Sequence, residues 1–155
     1  MSSASPEEEI AIPALLRGAR ASYAGAIGAS LAATGFDDLP RNGPFVLGGM
    51  ANRGGSATDM IQGLGVTKQA ASQLIDTLVL RGYLTREVNP VDRRRMTIEL
   101  TERGRAAALA VRAGVESIDA ELAAMISPAD MAGLWAGLRA LSEIRQRTGG
   151  HVHQR

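Results

Sequence analysis

The sequence predicts a mostly α-helical chain that carries one small β-hairpin. Apolar residues recur at helical spacing over most of the 155 residues, which indicates amphipathic helices. Residues 96–100 instead alternate strictly between apolar and polar, which indicates a strand with one buried face. This strand lies within a basic zone. Residues 66–105 contain eight basic and five acidic residues, whereas the whole chain has a net charge of only +1. Such a zone is compatible with a nucleic-acid surface.

The first helix has two possible starting points. The pair Ser5-Pro6, followed by glutamates, is typical of a helix start, with a capping residue, a proline in the first turn and acids near the positive end of the dipole. Pro13 argues instead that the helix begins near Ile12. The residues that fall roughly on one apolar stripe are Leu16, Tyr23, Ile27 and Leu31.

Two short helices follow a loop with the sequence FDDLPRNG. Pro44 opens the first helix, which is expected to run to about Asn52 and to end at the glycines 54–55. Ser56 followed by Asp59 resembles a capping box, with aspartate in the usual place of glutamate. This pair predicts the second short helix over residues 57–64.

A longer helix is predicted over residues 68–81, with Thr67 as its N-cap and Gly82 as its terminator. Its apolar stripe consists of Ala71, Leu74, Ile75 and Leu78. Its polar stripe consists of Gln69, Ser72, Gln73 and Asp76, with Lys68 at the start. Lysine and glutamine can read base edges, although any solvated helix face carries the same residue types.

The hairpin is predicted from residues 84–88 and 96–100, joined through the turn signal Asn89-Pro90. In the second strand, Met96, Ile98 and Leu100 are expected on the buried face, with Thr97 and Glu99 on the other. Asp92 and three arginines, Arg93, Arg94 and Arg95, lie near the tip.

Two more helices complete the chain. Thr101 can cap the first of them, and its apolar stripe consists of Val111, Val115, Ile118, Leu122 and Met125. The sequence SPAD at residues 127–130 ends that helix and starts the last one with a cap, a proline and an acid. The apolar positions of the last helix are Met131, Leu134, Trp135, Leu138 and Leu141. The glycines 149–150 are expected to end it.

This order of elements predicts a helix-turn-helix followed by a two-stranded wing. A wing lies along DNA and can push a cationic tip toward a minor groove, and the preceding helix can enter the major groove. A polar helix face or an arginine run alone is usually a solvated surface. Their combination in this order and at this spacing is much harder to obtain by chance.

Other kinds of function find less support in the sequence. The absence of cysteine excludes disulfides, thiol redox sensing and cysteine-based zinc sites. The segment GLGVTK lacks the spacing of a phosphate-binding loop. His151 and His153 lack further metal ligands, and no nucleophile or carboxylate constellation points to an enzyme. We therefore expect no metal, no cofactor and no catalytic site.

The composition predicts one globular domain over residues 1–155. Hydrophobic residues make up 45% of the chain, which argues against wholesale disorder. No run of uncharged apolar residues is long enough for a membrane span, and the acidic amino-terminal stretch does not resemble a signal peptide. We therefore expect a cytoplasmic protein.

The segment LVLRGYLTREVNPVDRRRMTIELTERG resembles the wing signature of the MarR family of winged helix-turn-helix transcriptional regulators. It has a helix that ends in glycine, a strand with an arginine, an Asp-Arg-Arg tip and an alternating strand that leads into Leu-Thr-x-x-Gly. The segment GLGVTKQAASQLIDTL resembles the recognition helix of that family. The resemblance covers about residues 10–147.

The resemblance implies a homodimer that regulates transcription by binding a pseudo-palindromic duplex, and repression relieved by a small ligand is the family's commoner pattern. Residues 37–100 would form the DNA-binding lobe. Residues 10–35 and 101–148 would supply a helical dimerisation base. Each recognition helix would enter a major groove, with half-sites about one helical turn apart.

The resemblance also assigns roles to single residues. Arg94 would enter the minor groove, and Asp92 would orient the arginines through salt bridges. The remaining arginines of the wing would contact phosphate or brace the wing. The residues expected to contact DNA are Thr67, Lys68, Gln69, Ser72, Gln73, Arg86, Arg93, Arg94 and Arg95.

Two features qualify the implied regulation. Many family members bind small aromatic or phenolic effectors, but no residue here specifies one. The segment GPFVLGGMANRGG departs from the family in its glycine content, and oxidant sensing through cysteine is excluded. The main alternative is a winged-helix module that binds another protein, but such a module would not need Lys68, Gln69, Gln73 and Arg94.

Overall fold

The computed structural model describes residues 11–53, 56–94 and 96–149, and it confirms a mostly helical fold with one antiparallel hairpin. The helices are α1 (Ile12–Ala33), α2 (Gly43–Arg53), α3 (Ala57–Gln62), α4 (Lys68–Leu80), α5 (Glu102–Met125) and α6 (Pro128–Gly149). The strands are β1 (Leu84–Val88) and β2 (Met96–Leu100). None of the helices within the described ranges is long and apolar enough to cross a membrane.

Helices α1 and α3 start where the sequence predicts, α1 at a proline and α3 at a capping box. Helix α1 begins at Ile12, the start that Pro13 favours, whereas the alternative start at Ser5 lies outside the described residues. The backbone N–H of Asp59 donates to Ser56 Oγ at 3.1 Å, and the N–H of Ser56 donates to Asp59 Oδ2 at 3.3 Å. This reciprocal pair is the predicted capping box of α3.

The ends of α3 and α4 are set by glycines. Helix α3 ends at Gln62, two residues before the predicted end, because the chain turns at Gly63 and Gly65 has a φ of +68°. Helix α4 ends at Leu80, and Gly82 follows with a φ of +76°. Glycine adopts this left-handed conformation without the steric cost that a Cβ atom brings.

Residues 11–117 form one compact unit, and the core lies within it. The largest fully buried side chains are Tyr83, Leu47, Leu78, Leu84 and Val46. Helices α1 and α5 approach closely at Gly114, where an added Cβ would lie 2.6 Å from Ile27 Cα. This core supports the outer faces of α4 and of the hairpin.

Residues 118–149 form the second compact unit, which consists of the end of α5 and all of α6. The N–H of Asp130 donates to Ser127 Oγ at 3.1 Å, which confirms the predicted cap of α6. In this unit the apolar residues are half-buried or exposed. The exposed ones include Met125, Leu134, Trp135, Leu138, Leu141 and Ile144.

Candidate nucleic-acid interface

Helix α4 separates a core face from a polar face, as the sequence predicts. Leu78 is buried, and Ala71, Leu74 and Ile75 are half-buried against the core. The polar face is exposed, and it consists of Lys68, Gln69, Ser72 and Gln73. Within the described residues, the side chains of this face make no hydrogen bond or ion pair. They are therefore available to an external ligand, and their predicted DNA contacts stay predictions.

Thr67 serves as the N-cap of α4. Its Oγ1 accepts a hydrogen bond from the backbone N–H of Ala70 at 3.2 Å. The hydroxyl remains exposed and can still donate its proton outward. The predicted contact of Thr67 with DNA therefore stays compatible with its capping role.

The hairpin has one polar face and one face that mixes apolar residues with Arg86. Its register pairs Leu84 with Leu100, Arg86 with Ile98 and Val88 with Met96, so these six residues share a face. Leu84 is buried, while Ile98 and Leu100 are half-buried against the core. Met96 departs from its predicted burial with 56% of its surface exposed, because it lies beyond the core, opposite the exposed Val88.

Side chains hold the backbone of the wing tip in a turn. Asn89 Oδ1 accepts hydrogen bonds from the N–H of Val91 at 2.8 Å and from the N–H of Asp92 at 3.1 Å. Asp92 Oδ1 accepts from the backbone N–H of Arg94 at 3.1 Å. The structure thus shows Asp92 shaping the tip through the backbone. These bonds reduce the conformational freedom of the segment that carries the arginines.

The arginines of the wing tip point into solvent. Arg93 and Arg94 are exposed, and neither makes an ion pair with a described residue. Arg95 lies outside the described residues. The structure therefore leaves two guanidinium groups free for an anionic ligand at the tip.

Arg86 is engaged within the protein. Its guanidinium Nη2 donates to Asp76 Oδ1 on α4, so the wing and the helix before it are joined by an ion pair. Both side chains are about half exposed, at 42% for Arg86 and 58% for Asp76. Sequence reasoning placed Asp76 on the polar stripe of α4 and Arg86 on the first strand, but it did not pair them. Their opposite charges were the available signal, but no spacing rule pairs a helix residue with a strand residue ten positions later.

A polar cluster at the base of the wing was not predicted. The hydroxyl of Tyr83 donates to Asp38 Oδ1, and Arg103 Nη2 donates to the same oxygen at 3.1 Å. The Arg103 guanidinium carbon lies 4.5 Å from the centroid of the Tyr83 ring and 5.5 Å from that of Phe36. Arg81 Nη1 donates to the Asp38 carbonyl oxygen. The cluster joins the loop after α1 to both ends of the segment that contains the wing.

The same contacts shift the acidities of the cluster. The hydrogen bond from Tyr83, aided by the Arg103 charge, holds the pKa of Asp38 below its ordinary value against the opposing effect of desolvation. Burial raises the pKa of Tyr83, and the hydrogen bond to Asp38 raises it further. Asp38 is therefore an acceptor and Tyr83 a donor at neutral pH.

No metal-binding cluster of three or more His, Asp or Glu side chains occurs in the described part of the chain. His151 and His153 lie outside that part. The candidate interface consists of amide, hydroxyl, ammonium and guanidinium groups carried by α4 and by the hairpin.

Residues 38–95 match the family model of the MarR family. This segment contains α2 to α4, the first wing strand and the wing tip. We found no significant sequence match among curated proteins.

Solved structures share the fold over nearly the whole chain. The MepR–DNA complex of S. aureus superposes with a TM-score of 0.68 at 20% identity, over 87% of this chain and 98% of that one. Wild-type apo MarR of E. coli gives a TM-score of 0.60 at 20% identity, with 85% and 97% covered. BpsR of Bordetella bronchiseptica gives 0.63 at 22% identity, with 91% and 98% covered.

The family match and the shared fold agree on the same elements. The match spans the helix-turn-helix, and the exposed face of α4 and the tip of the hairpin carry the groups that such a lobe presents to DNA. The chain therefore shares the winged helix-turn-helix fold of these structures, and its residues 38–95 match the MarR family.

Proposed function

We propose that the protein acts as a homodimer that reads a pseudo-palindromic operator, and that a small ligand relieves its repression. The observation that carries the proposal is the arrangement of α4 and the wing. The polar face of α4 is exposed on a helix whose other face is core, and the Arg86–Asp76 pair fixes the wing beside it. The two elements that would contact adjacent grooves are thus joined in one frame by a direct contact.

Within this frame, each side chain has a role that its chemistry supports. Lys68, Gln69 and Gln73 would contact base edges in the major groove, since lysine donates to guanine and glutamine pairs with adenine. Thr67 and Ser72 would contact bases or phosphates with their hydroxyls. These five residues all lie on or before the first two turns of α4.

In the wing, Arg94 would enter the minor groove, while Arg93 and Arg95 would contact phosphate or brace the wing. Asp92 supports the position of Arg94 through the bond to its backbone. Arg86 would act chiefly by holding the wing to α4, since its guanidinium is already paired with Asp76.

The homodimer is supported by apolar surface that each compact unit exposes. In the first unit, α1 exposes Ile12, Leu15 and Leu16. In the second unit, five large apolar residues of α6 are exposed, including Trp135 at 56%. Monomeric proteins rarely leave contiguous apolar surface of this kind in water. A twofold symmetric interface would cover the same surface on both copies.

Ligand control is supported by one cleft and by the solved relatives. A cleft of about 330 Å³ lies between α1 and the loop that leads into α2, and it is lined in part by Leu31, Phe36, Leu39 and Arg41. DNA binding by BpsR is regulated by 6-hydroxynicotinic acid, and S. aureus MepR has been solved with ethidium bromide. We extend this regulation to the present chain, with a small aromatic or phenolic compound as the class of effector.

The test begins with selection of bound duplexes from a random pool by the full-length protein. Fluorescence anisotropy over a salt series then measures the affinity of the selected duplex and of a scrambled one. We expect preferential binding at two chains per duplex, with log affinity falling against log salt. Arg94→Ala should weaken binding and flatten the salt dependence by about two units of slope, because the dimer loses one arginine at each wing. The matched control, Arg112→Ala, removes an arginine that pairs with Glu116 on α5, and it should change neither the affinity for the duplex nor its salt dependence.

Selection of no sequence, with weak and equal binding to both duplexes, would contradict the proposal. It would favour the alternative in which the winged-helix lobe binds another protein. Analytical ultracentrifugation tests the dimer separately, and a monomer at micromolar concentration would contradict that part.

A further inference from the structure

We propose that Val88, Val91 and Met96 form a second kind of DNA contact in the wing, against the deoxyribose carbons of the minor-groove wall. We call these three residues the wing patch. They are 55%, 96% and 56% exposed, respectively. The inference rests on the proposed DNA-binding function and adds to it an apolar contact beside the arginines.

Val88 and Met96 continue the core face of the hairpin past the end of the core, and Val91 lies in the turn that joins their strands. On this face the pair Leu84–Leu100 lies against the core, and the pair Val88–Met96 lies four residues further along each strand. The side chains keep the same orientation, because residues two apart share a face. Beyond Arg86 the face is apolar again at Val88 and Met96, where both side chains are more than half exposed.

The position of Arg86 shows which way this face points. Arg86 lies between the two pairs on the same face, and it contacts Asp76 on the polar stripe of α4. The surface that α4 presents thus passes directly into the wing patch. A duplex seated on the polar face of α4 would meet the wing from this side.

The charges of the hairpin favour the same side for a polyanion. The opposite face carries Glu87 and Glu99, both exposed, which would repel phosphate. The tip next to the wing patch carries the exposed Arg93 and Arg94. The wing is therefore complementary to DNA on one face only.

The wing tip also holds Val91 in place. Asn89 Oδ1 accepts from the N–H of Val91 and from that of the next residue, so the turn is bonded on both sides of the valine side chain. Little conformational freedom is left to lose when Val91 is buried against a ligand. The minor groove of B-form DNA is walled by deoxyribose C–H groups, and minor-groove proteins frequently insert apolar side chains into this groove.

The experiment compares Val91→Ser and Met96→Ser with Leu80→Ser on the duplex selected by the full-length wild-type protein. Leu80 is the matched control, since it is 88% exposed at the end of α4 and lies outside the wing. We expect each wing-patch variant to bind about tenfold more weakly, because a dimer loses apolar burial at both wings. The salt dependence should stay that of the wild type, and Leu80→Ser should bind normally.

Hydroxyl-radical footprinting supplies the second readout, because the radical attacks deoxyribose. Val91→Ser should lose protection in the minor groove under the wing, whereas protection of guanine N7 from dimethyl sulfate in the major groove under α4 should persist.

The outcomes separate this inference from the proposed function. If the wild type selects a duplex and both wing-patch variants keep its affinity and its footprint, the wing-patch inference is wrong but the proposed function stands. An affinity loss accompanied by a flattened salt dependence also overturns it, because the lost contact would then be electrostatic. A wild-type protein that selects no duplex overturns both.

Discussion

Replacing Gly114 with alanine should destabilise the protein, although alanine is the better helix former. An added Cβ at this position would lie 2.6 Å from Ile27 Cα, 2.8 Å from Ile27 N and 2.9 Å from the Ala26 carbonyl oxygen. All three neighbours are backbone atoms of α1, so no side-chain rotation relieves the contact. Helices α1 and α5 would have to separate by about 0.8 Å to reach an ordinary 3.4 Å contact.

Two opposing free energies decide the sign of this change. Alanine in place of glycine in a helix interior stabilises by about 1 kcal/mol. Overpacking of a well-packed contact costs roughly 1–3 kcal/mol, and the backbone location of this clash places it toward the upper end. We therefore expect a net loss of about 1–2 kcal/mol in the free energy of unfolding.

Gly28→Ala in α1 is the matched control. Its added Cβ would have no heavy atom within 4 Å, so only the helix preference acts and the protein should become more stable, by about 0.5–1 kcal/mol. Urea denaturation at one fixed protein concentration measures both variants, since dimer formation makes stability concentration-dependent. A Gly114→Ala protein as stable as the wild type would refute the close crossing of α1 and α5.

Three further predictions follow from single contacts. Ser56→Ala removes the capping box of α3 and should cost about 1 kcal/mol in the free energy of unfolding, as measured in urea. The folded pKa of Asp38 is lowered, so the stability that Asp38 contributes is present above its unfolded pKa and is lost as the pH falls through its folded pKa. Tyr83→Phe removes the hydrogen bond that lowers this pKa, so the variant should lose less stability in acid, as measured by melting curves at several pH values. The folded pKa of Tyr83 is raised, so its contribution is lost as pH rises through that value, and the same variant should remove this alkaline loss. Asp76→Ala should weaken DNA binding less than Arg86→Ala in anisotropy titrations, because it frees the arginine for phosphate.

The parts of the fold that could be predicted depend on short-range chemistry. The caps at Ser56 and Thr67 need hydrogen bonds that reach only three residues along the chain. The start of α1 follows from the fixed φ of Pro13 and its missing N–H. The hairpin could be predicted because apolar and polar residues alternate with a period of two in its second strand. Such features carry their cause within a few residues of sequence.

The parts that could not be predicted depend on residues that meet only in the folded chain. Asp38 contacts Tyr83 across 45 residues and Arg103 across 65, and no spacing rule links these positions. The exposure of Met96 has a related cause, because alternation tells which face a residue shares but not where along the strand the core stops. Burial of that face ends between the pairs Leu84–Leu100 and Val88–Met96.

The cluster of Asp38, Tyr83 and Arg103 connects the cleft proposed for the effector with the base of the wing. Phe36 belongs both to this cluster, through the Arg103 guanidinium, and to the lining of the cleft beside α1. Tyr83 and Arg103 flank the hairpin in the chain, so an effector that moves Phe36 changes the contacts that hold the base of the wing. A ligand shifts an equilibrium only by its difference in affinity for the two states. An effector that releases the protein from DNA must therefore bind more tightly when these contacts are rearranged. In Tyr83→Phe, where the hydrogen bond to Asp38 is already absent, the effector should lower DNA affinity by a smaller factor than in the wild type.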